Sequence, residues 1–186
     1  GDTRTHIFTN SIVDLSLDNF LNSMLNISYQ KTNNDNYLKI FNLRSPILPV
    51  NNTVLESIIE LDLEHEDYDL TTSFEMYETL KGSKNDRYQY VLPSYNFSKN
   101  FYIEDVMGSF NFNSYGNNTL RDTNITTSKI FNDLNYSSIN SLLNNGIKTN
   151  FDISLKNVNT TGKNDPEYKE NLHSRLMSAY TFNASL

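Results

Sequence analysis

The chain contains no cysteine and no tryptophan, and only three histidines, six glycines and four prolines among 186 residues. The missing cysteine removes disulfide frameworks, thiol nucleophiles and Cys-ligated zinc, although it leaves the redox compartment open, because exported proteins without disulfides are common. His6, His65 and His173 are far apart, and His65-Glu66-Asp67 does not run on to a second His at helical spacing, so there is no zincin motif. Neither a Gly-rich phosphate loop nor a Gly-x-Ser-x-Gly elbow is present. Cations are scarce: 15 Lys and Arg against 22 Asp and Glu give a net charge of −7 and a pI near 4.9. That is the wrong sign for neutralising phosphates, so nucleic-acid binding is disfavoured. Long apolar runs are absent as well. Stretches such as Phe101-Tyr102-Ile103 fall far short of the roughly 20 residues that a membrane-spanning helix needs.

The length by itself suits one domain with a sizeable core, and no linker or step in composition marks an internal boundary, so residues 1–186 are read as one unit. The first residue is Gly1, with no charged n-region and apolar h-region after it; the expectation is a chain processed from, or excerpted from, something longer. Asparagine occurs 29 times, an excess treated first as compositional background.

Two-residue alternation recurs from one end of the chain to the other. Leu55, Ser57, Ile59, Leu61 and Leu63 take one side while Glu56, Glu60, Asp62 and Glu64 take the other, with Ile58 the only intruder. After His65-Glu66-Asp67 the pattern restarts, with Tyr68, Leu70, Thr72, Phe74 and Met76 opposite Asp69, Thr71, Ser73, Glu75 and Tyr77. Successive strand side chains point to opposite faces, so this reads as a hairpin with one apolar and one acidic face. Leu25, Ile27 and Tyr29 alternate with Asn26, Ser28 and Gln30; Asn33-Asn34-Asp35-Asn36 supplies turn chemistry, and Tyr37 to Leu43 is expected to run back as a strand. Tyr95 to Ile103 forms another run, and Phe110 and Phe112 lead to an expected turn at Gly116-Asn117-Asn118. Ile130 to Tyr136, then Ile147 to Leu155 after Asn144-Asn145-Gly146, and finally Leu176 to Leu186 complete the series. Pro93 is expected at the start of a strand. The fold class expected is all-β: an antiparallel up-and-down meander of about nine or ten strands.

Such a meander must bury its apolar face. It can fold over as a sandwich, close into a small soluble barrel, or form part of a large barrel facing lipid. Several runs reach the roughly nine to eleven residues that a tilted barrel strand needs. Tyr37, Tyr68, Tyr88, Tyr90 and Tyr115 lie near turns, as an interfacial girdle would require, but Tyr is also a good strand former. Spacing alone leaves sandwich and membrane barrel open.

Candidate chemistry is thin. Asp62, Glu64, Glu66, Asp67 and Asp69 could hold a hard cation, but they lack the calcium-loop spacing and read better as a solvated hairpin end. Glu60 and Asp62 could be the carboxylate pair of a glycosidase, yet neighbours on one polar strand face are expected in an acidic protein. No catalytic residue, metal ligand or cofactor is assigned. Asn-x-Ser/Thr triplets such as Asn26-Ile27-Ser28 are expected by chance at this composition.

The stretch Asp86-Arg87-Tyr88-Gln89-Tyr90-Val91-Leu92-Pro93-Ser94-Tyr95-Asn96-Phe97-Ser98-Lys99 resembles the Leu-Pro strand start in the barrel of the LptD family, the outer-membrane lipopolysaccharide assembly proteins. The order around it also fits: Asp2-Thr3, the long hairpin at 54–78, Gly108-Ser109-Phe110-Asn111-Phe112, Gly146 to Phe151 and Leu155 to Asp165, in an Asn-rich, alphaproteobacterial form. The resemblance spans most of the chain through short motifs.

It implies a section of a large transmembrane β-barrel in the outer membrane that is non-catalytic and delivers lipopolysaccharide to the outer leaflet. It further implies a plug lipoprotein like LptE, a periplasmic bridge protein like LptA, and membrane lipid as partners of the whole protein. The jelly roll and the lateral gate of that family fall outside the stretch that resembles it. On this reading Leu55, Ile59, Leu61, Leu63, Leu70, Phe74 and Met76 face lipid, and Glu56, Glu60, Asp62, Asp69 and Glu75 line the lumen. The alternatives kept beside it are a soluble β-sandwich, adhesin-like or glycan-binding, and a glycoside-active enzyme.

Overall fold

A computed structural model describes residues 3–41, 53–82, 84–143 and 146–185. It forms one antiparallel sheet of ten strands: β1 (His6–Asp14), β2 (Asn22–Thr32), β3 (Val54–Glu64), β4 (Tyr68–Thr79), β5 (Tyr88–Phe101), β6 (Gly108–Arg121), β7 (Thr126–Ser138), β8 (Ser141–Leu142), β9 (Lys148–Lys163) and β10 (His173–Ser185). Spatial order follows sequence order from β1 to β7, then β9 and β10, with the two-residue β8 pairing onto β9. The expected meander is therefore the observed one. The sheet is open, with β1 and β10 at its edges, and the strands pack side by side with their hydrogen-bonded neighbours in a single layer.

Connections alternate between the two ends of the sheet. Residues 15–21, 65–67, 102–107, 139–140, 143 and 146–147 lie at one end, the turn end; 33–41, 53, 80–82, 84–87, 122–125 and 164–172 lie at the other, the loop end. Around the first connection at the loop end, short polar side chains compete with the ladder. Thr32 Oγ1 accepts from the Asn34 amide at 3.3 Å and Asn34 Oδ1 from the Asn36 amide at 3.1 Å, winding the chain into the single helical turn α1 (Tyr37–Ile40). The strand expected from Tyr37 to Leu43 is thus a helix where it is described, and residues 42–52 lie outside the described residues. Strand β2 pairs with β1 and β3 instead. Beyond Ser28 and Ile58 the ladder between β2 and β3 ends, and Ser57 Oγ takes over by accepting from the Gln30 amide at 3.1 Å.

The turn expected at Gly116-Asn117-Asn118 is overturned: all three lie inside β6, paired with Ile130, Lys129 and Ser128. Gly116 serves close approach, not reversal. A Cβ there would collide with the Lys129 carbonyl oxygen and sit 3.2 Å from Ile130 Cα. The actual reversal follows Arg121, where Asn124 has φ 60° and donates its amide to the Arg121 carbonyl at 2.9 Å. Pro93 sits within β5, not at its start. The register skips from Val91 to Ser94, so the residue without an N–H occupies a bulge. Ile103 falls past the end of β5. Of the expected turn residues Asn144-Asn145-Gly146, the first two lie outside the described residues, and Gly146 has φ 83°.

Among the described apolar residues only Leu38, Leu55, Leu80 and Val91 are buried. Leu38, Leu55 and Leu80 form one small cluster at the loop end, with Phe8 and Tyr37 packed against it. The sizeable core that the length suggests is absent among the described residues, and most apolar strand side chains stand on one face of the sheet.

Candidate functional site

Registers fix which side chains share a face, because residues directly opposite in a ladder point the same way. Leu55, Ile59, Leu61, Leu63, Leu70, Phe74 and Met76 fall on one face; Glu56, Glu60, Asp62, Asp69 and Glu75 fall on the other. Carrying the registers across the sheet extends both. Ile7, Val13, Ile27, Tyr29, Ile59, Phe74, Ile130, Phe151, Leu176, Tyr180 and Phe182 are all on the apolar face, and all are substantially exposed. On the polar face the comparably exposed large apolar strand residues are Ile12, Leu142 and Met177. Carboxylates divide the same way, although Lys31, Lys99 and Lys163 stand on the apolar face. Asp14, Glu56, Glu60, Asp62, Glu64, Asp69, Glu75, Asp133 and Asp152 are on the polar face, leaving Glu78 as the one described strand carboxylate on the apolar side.

The apolar band runs obliquely. Leu25 lies opposite Leu61, and the row continues through Thr72, Tyr95, Gly116 and Ile130 to Asn159. In β2 the apolar trio Leu25, Ile27 and Tyr29 is centred on Ile27, two residues from that row toward the loop end. In β9 the trio Phe151, Ile153 and Leu155 is centred on Ile153, six residues from Asn159 toward the turn end. The band is therefore displaced by about eight residues over six strand steps, or about 1.3 residues per strand. With a rise of about 3.4 Å and a strand spacing of about 4.8 Å, it lies about 40–45° from the hydrogen-bond direction. Along β4 it runs from Tyr68 to Met76, about 27 Å of strand and about 20 Å of height once tilted.

Aromatic rings edge the band at the turn end. Phe101 stacks on Phe110 at 5.2 Å, Phe110 meets Tyr136 at 4.8 Å, and Tyr136 meets Phe151 at 5.6 Å, a row crossing four strands. Tyr68 stacks on His65 at 4.7 Å and lies 5.8 Å from Phe97. Above Phe110, Leu134 and Leu155 is a shallow groove of about 400 Å³, lined also by Val106, Tyr136, Phe151 and Ile153. Of the Tyr residues expected in a girdle, Tyr115 does not belong. It sits mid-strand on the polar face, stacked on Phe131 at 4.9 Å. The same face also carries polar side chains that bridge strands within the band and, at Asn157, reach its loop-end margin: Tyr95 Oη to Ser114 Oγ at 3.2 Å, Ser114 Oγ to Asn132 Oδ1 at 2.8 Å, Asn132 Nδ2 to Asn157 Oδ1 at 3.3 Å, and Asn157 Nδ2 to Ser174 Oγ at 3.1 Å. The alternation did not reveal this ladder, because Asn excess looked compositional.

Leu55 departs from the expectation for its run. It is 3% exposed, packed with Leu38 of α1 and with Leu80 in the small cluster at the loop end. Beside it an ionic cluster closes the loop end. Glu78, 1% exposed, accepts from Arg87 Nε at 2.9 Å, Tyr88 Oη at 3.0 Å and Lys31 Nζ at 3.2 Å. Arg87 also grips both oxygens of Asp35, at 2.7 and 3.1 Å, tying the turn before α1 to the start of β5. Those bonds to Asp35, working against the cost of burial and helped by Glu78, raise the Arg87 pKa above the ordinary guanidinium value. This is how the one described strand carboxylate on the apolar face is tolerated.

The polar face is partly self-satisfied. Thr71 Oγ1 donates to Asp62 Oδ1 at 2.8 Å; Glu75 takes the hydroxyls of Ser73, Tyr77 and Ser94 at 2.5, 2.7 and 3.1 Å; Asn111 Nδ2 donates to Asn100 Oδ1 at 2.8 Å. Glu60, Glu64 and Asp69 have no ion-pair partner among the described residues. Asp62, Glu64 and Asp69 share the polar face, while Glu66 and Asp67 are in the turn; among the described residues no three His, Asp or Glu converge as metal ligands. Nor is any described helix long and apolar enough to cross a membrane, which says nothing about strands. No family model matches the chain, and no curated protein matches it.

Proposed function

We propose that this sheet is a section of the wall of a large transmembrane β-barrel, with its apolar face toward lipid and its polar face toward a wet lumen. The observation that carries this reading is the oblique band of exposed apolar side chains. Strands of outer-membrane barrels tilt by about 35–45° and carry an outward apolar band of about 25 Å flanked by aromatic girdles. The angle of about 40–45°, the height of about 20 Å and the aromatic row Phe101–Phe110–Tyr136–Phe151 all suit that geometry. A sandwich would need a second layer over the same face, and among the described residues no strand supplies one.

The resemblance to the LptD family supplies the proposed role of this wall, which is passage of lipopolysaccharide to the outer leaflet of the outer membrane. Its partners would be a plug lipoprotein and a periplasmic bridge protein. A translocating wall calls for no nucleophile or metal. It calls for a lumen that holds sugars weakly, and the Asn, Ser, Thr and carboxylate side chains of the polar face suit that. The test uses adjacent residues of β3. The chain has no cysteine, so Leu61→Cys and Glu60→Cys can each carry a single environment-sensitive fluorophore. In the full-length protein, reconstituted into lipid vesicles, position 61 should report hydrocarbon and position 60 water. A lipid-like signal from position 60 would refute the assignment of faces.

A further inference from the structure

We propose that the polar face carries a binding site for an acidic sugar, one bearing a phosphate or a carboxylate, between β7, β9, β10 and the connection at 164–172. This connection folds back over the polar face. Thr127 Oγ1 donates to Asp165 Oδ2 at 2.5 Å, Asn164 Nδ2 to the Asn124 carbonyl at 3.0 Å, and the Gly162 amide to the Lys169 carbonyl at 2.8 Å. Gly162 is required for this fold-back, since a Cβ there would lie 2.7 Å from Tyr168 Cβ. The result is a preformed concavity of about 460 Å³, with Phe131 and Val158 in its floor and Tyr168 in its wall. An aromatic floor under a wet pocket suits the C–H faces of a pyranose, whose hydroxyls point outward.

Charge supplies the rest of the specificity. Lys129, Lys169, His173 and Arg175 surround the concavity, and Glu167 is the one carboxylate lining it among the described residues. Of the other described cations, Lys31, Arg87 and Lys156 are each matched by a carboxylate, while Lys99, Arg121, Lys148 and Lys163, like those of the concavity, are not. Here Lys129, Lys169 and Arg175 have none within ion-pair distance among the described residues. Lys129 Nζ instead lies 4.6 Å from the centre of the Tyr168 ring, and Arg175 Nε donates to His173 Nε2 at 2.9 Å, orienting the guanidinium. Unpaired cations around an aromatic floor, in a chain of net charge −7, form a local site for an anionic group carried on a sugar. The site lies on the polar face and does not depend on what solvent meets the apolar one.

The test is calorimetric titration of the full chain in detergent micelles with glucose 6-phosphate, glucuronate, glucose and inorganic phosphate. Both acidic sugars should bind at least tenfold more tightly than glucose and than inorganic phosphate. The double variant Lys129→Gln/Arg175→Gln should lose at least tenfold in affinity with an unchanged strand signal in circular dichroism. Lys169→Gln, in an exposed connection where it cannot unfold the sheet, should lose several-fold. Equal binding of glucose and the acidic sugars, or variants that bind as the wild type does, would overturn the site; inorganic phosphate binding as tightly as glucose 6-phosphate would overturn its assignment to a sugar. None of these readouts involves lipid, so their failure is distinguishable from failure of the barrel reading.

Discussion

Placing an arginine at Ile59 and, separately, at its neighbour Glu60 separates lipid from water as the solvent of the apolar face. Ile59 is 50% exposed and lies between Ile27 and Phe74 in register, at the centre of the band on β3. Leu55 and Leu63 bound that band four residues away on either side, about 14 Å along the strand and about 10 Å in depth once tilted. An arginine side chain is too short to cover that depth, so at Ile59 it cannot bring its charge fully to an interface. Arg or Lys at the bilayer midplane of a barrel costs about 2–4 kcal/mol. At about 1.4 kcal/mol per tenfold, Ile59→Arg should lower the equilibrium constant for folding into vesicles roughly 30- to 800-fold. Glu60→Arg, pointing to a wet lumen, should stay within about 0.5 kcal/mol of wild type. The assay is reversible urea unfolding of the full-length protein, with strands beside both β1 and β10, from phosphatidylcholine vesicles, followed by circular dichroism. If the apolar face met water, both variants would behave as surface substitutions, and equal midpoints would refute the lipid-facing assignment.

Three further outcomes follow from the loop end and the sheet interior. Glu78→Ala strips Lys31, Arg87 and Tyr88 of their shared acceptor; because Arg87 keeps Asp35, the expected loss is about 2–3 kcal/mol in urea unfolding, with faster amide exchange around Leu38. Gly116→Ala puts a methyl group against the Lys129 carbonyl and should cost about 1–3 kcal/mol by forcing β6 from β7, whereas a polar exchange at Asn118 on the same strand should cost little. Asp165 is held below the ordinary carboxylate value by the Thr127 hydroxyl and then by the Glu167 amide. A depressed carboxylate stabilises above its unfolded pKa and loses that contribution as pH falls through the folded one, so amide exchange in 164–172 should quicken on acidification below about pH 4, and Asp165→Asn should abolish the pH dependence.

Strand faces were legible in the sequence because a period of two assigns each side chain before any partner is known, and the 55–63 and 68–76 runs needed nothing more. Register was not legible. The obliqueness of the band exists only once Leu25 is known to share a row with Asn159, and no single run contains that information. The misplaced turn at Gly116-Asn117-Asn118 has a related cause: Gly and Asn signal reversal when the backbone needs positive φ, but here Gly answers to a neighbouring strand. Tyr37 to Ile40 is too short for periodicity to separate helix from strand, and the decision fell to hydroxyl and amide side chains at Thr32 and Asn34. The cationic concavity was hidden for a similar reason. Lys129, Tyr168 and Arg175 come from three elements and meet only when the 164–172 connection folds over the polar face.

Strand direction adds a constraint that the alternation cannot express. Every pairing along the path from β1 to β10 is antiparallel, and nine strands lie on that path, so β1 and β10 run in the same direction. Joining these two edges would make a parallel ladder, at odds with an all-antiparallel barrel wall. A second copy related by an axis along the barrel would not help, because it would again set β10 beside a β1 of the same direction at both seams. An antiparallel barrel containing this sheet therefore needs an odd number of strands beyond the nine on this path. The edges are consistent with that need: apart from Phe8 in β1 and His173 in β10, their described residues are exposed, and their unpaired N–H and C=O groups offer a template for pairing. Lipid cannot satisfy those groups. A sheet whose apolar face suits hydrocarbon must have both edges occupied before it enters a bilayer, so the geometry that favours a membrane wall also requires neighbouring strands at β1 and β10.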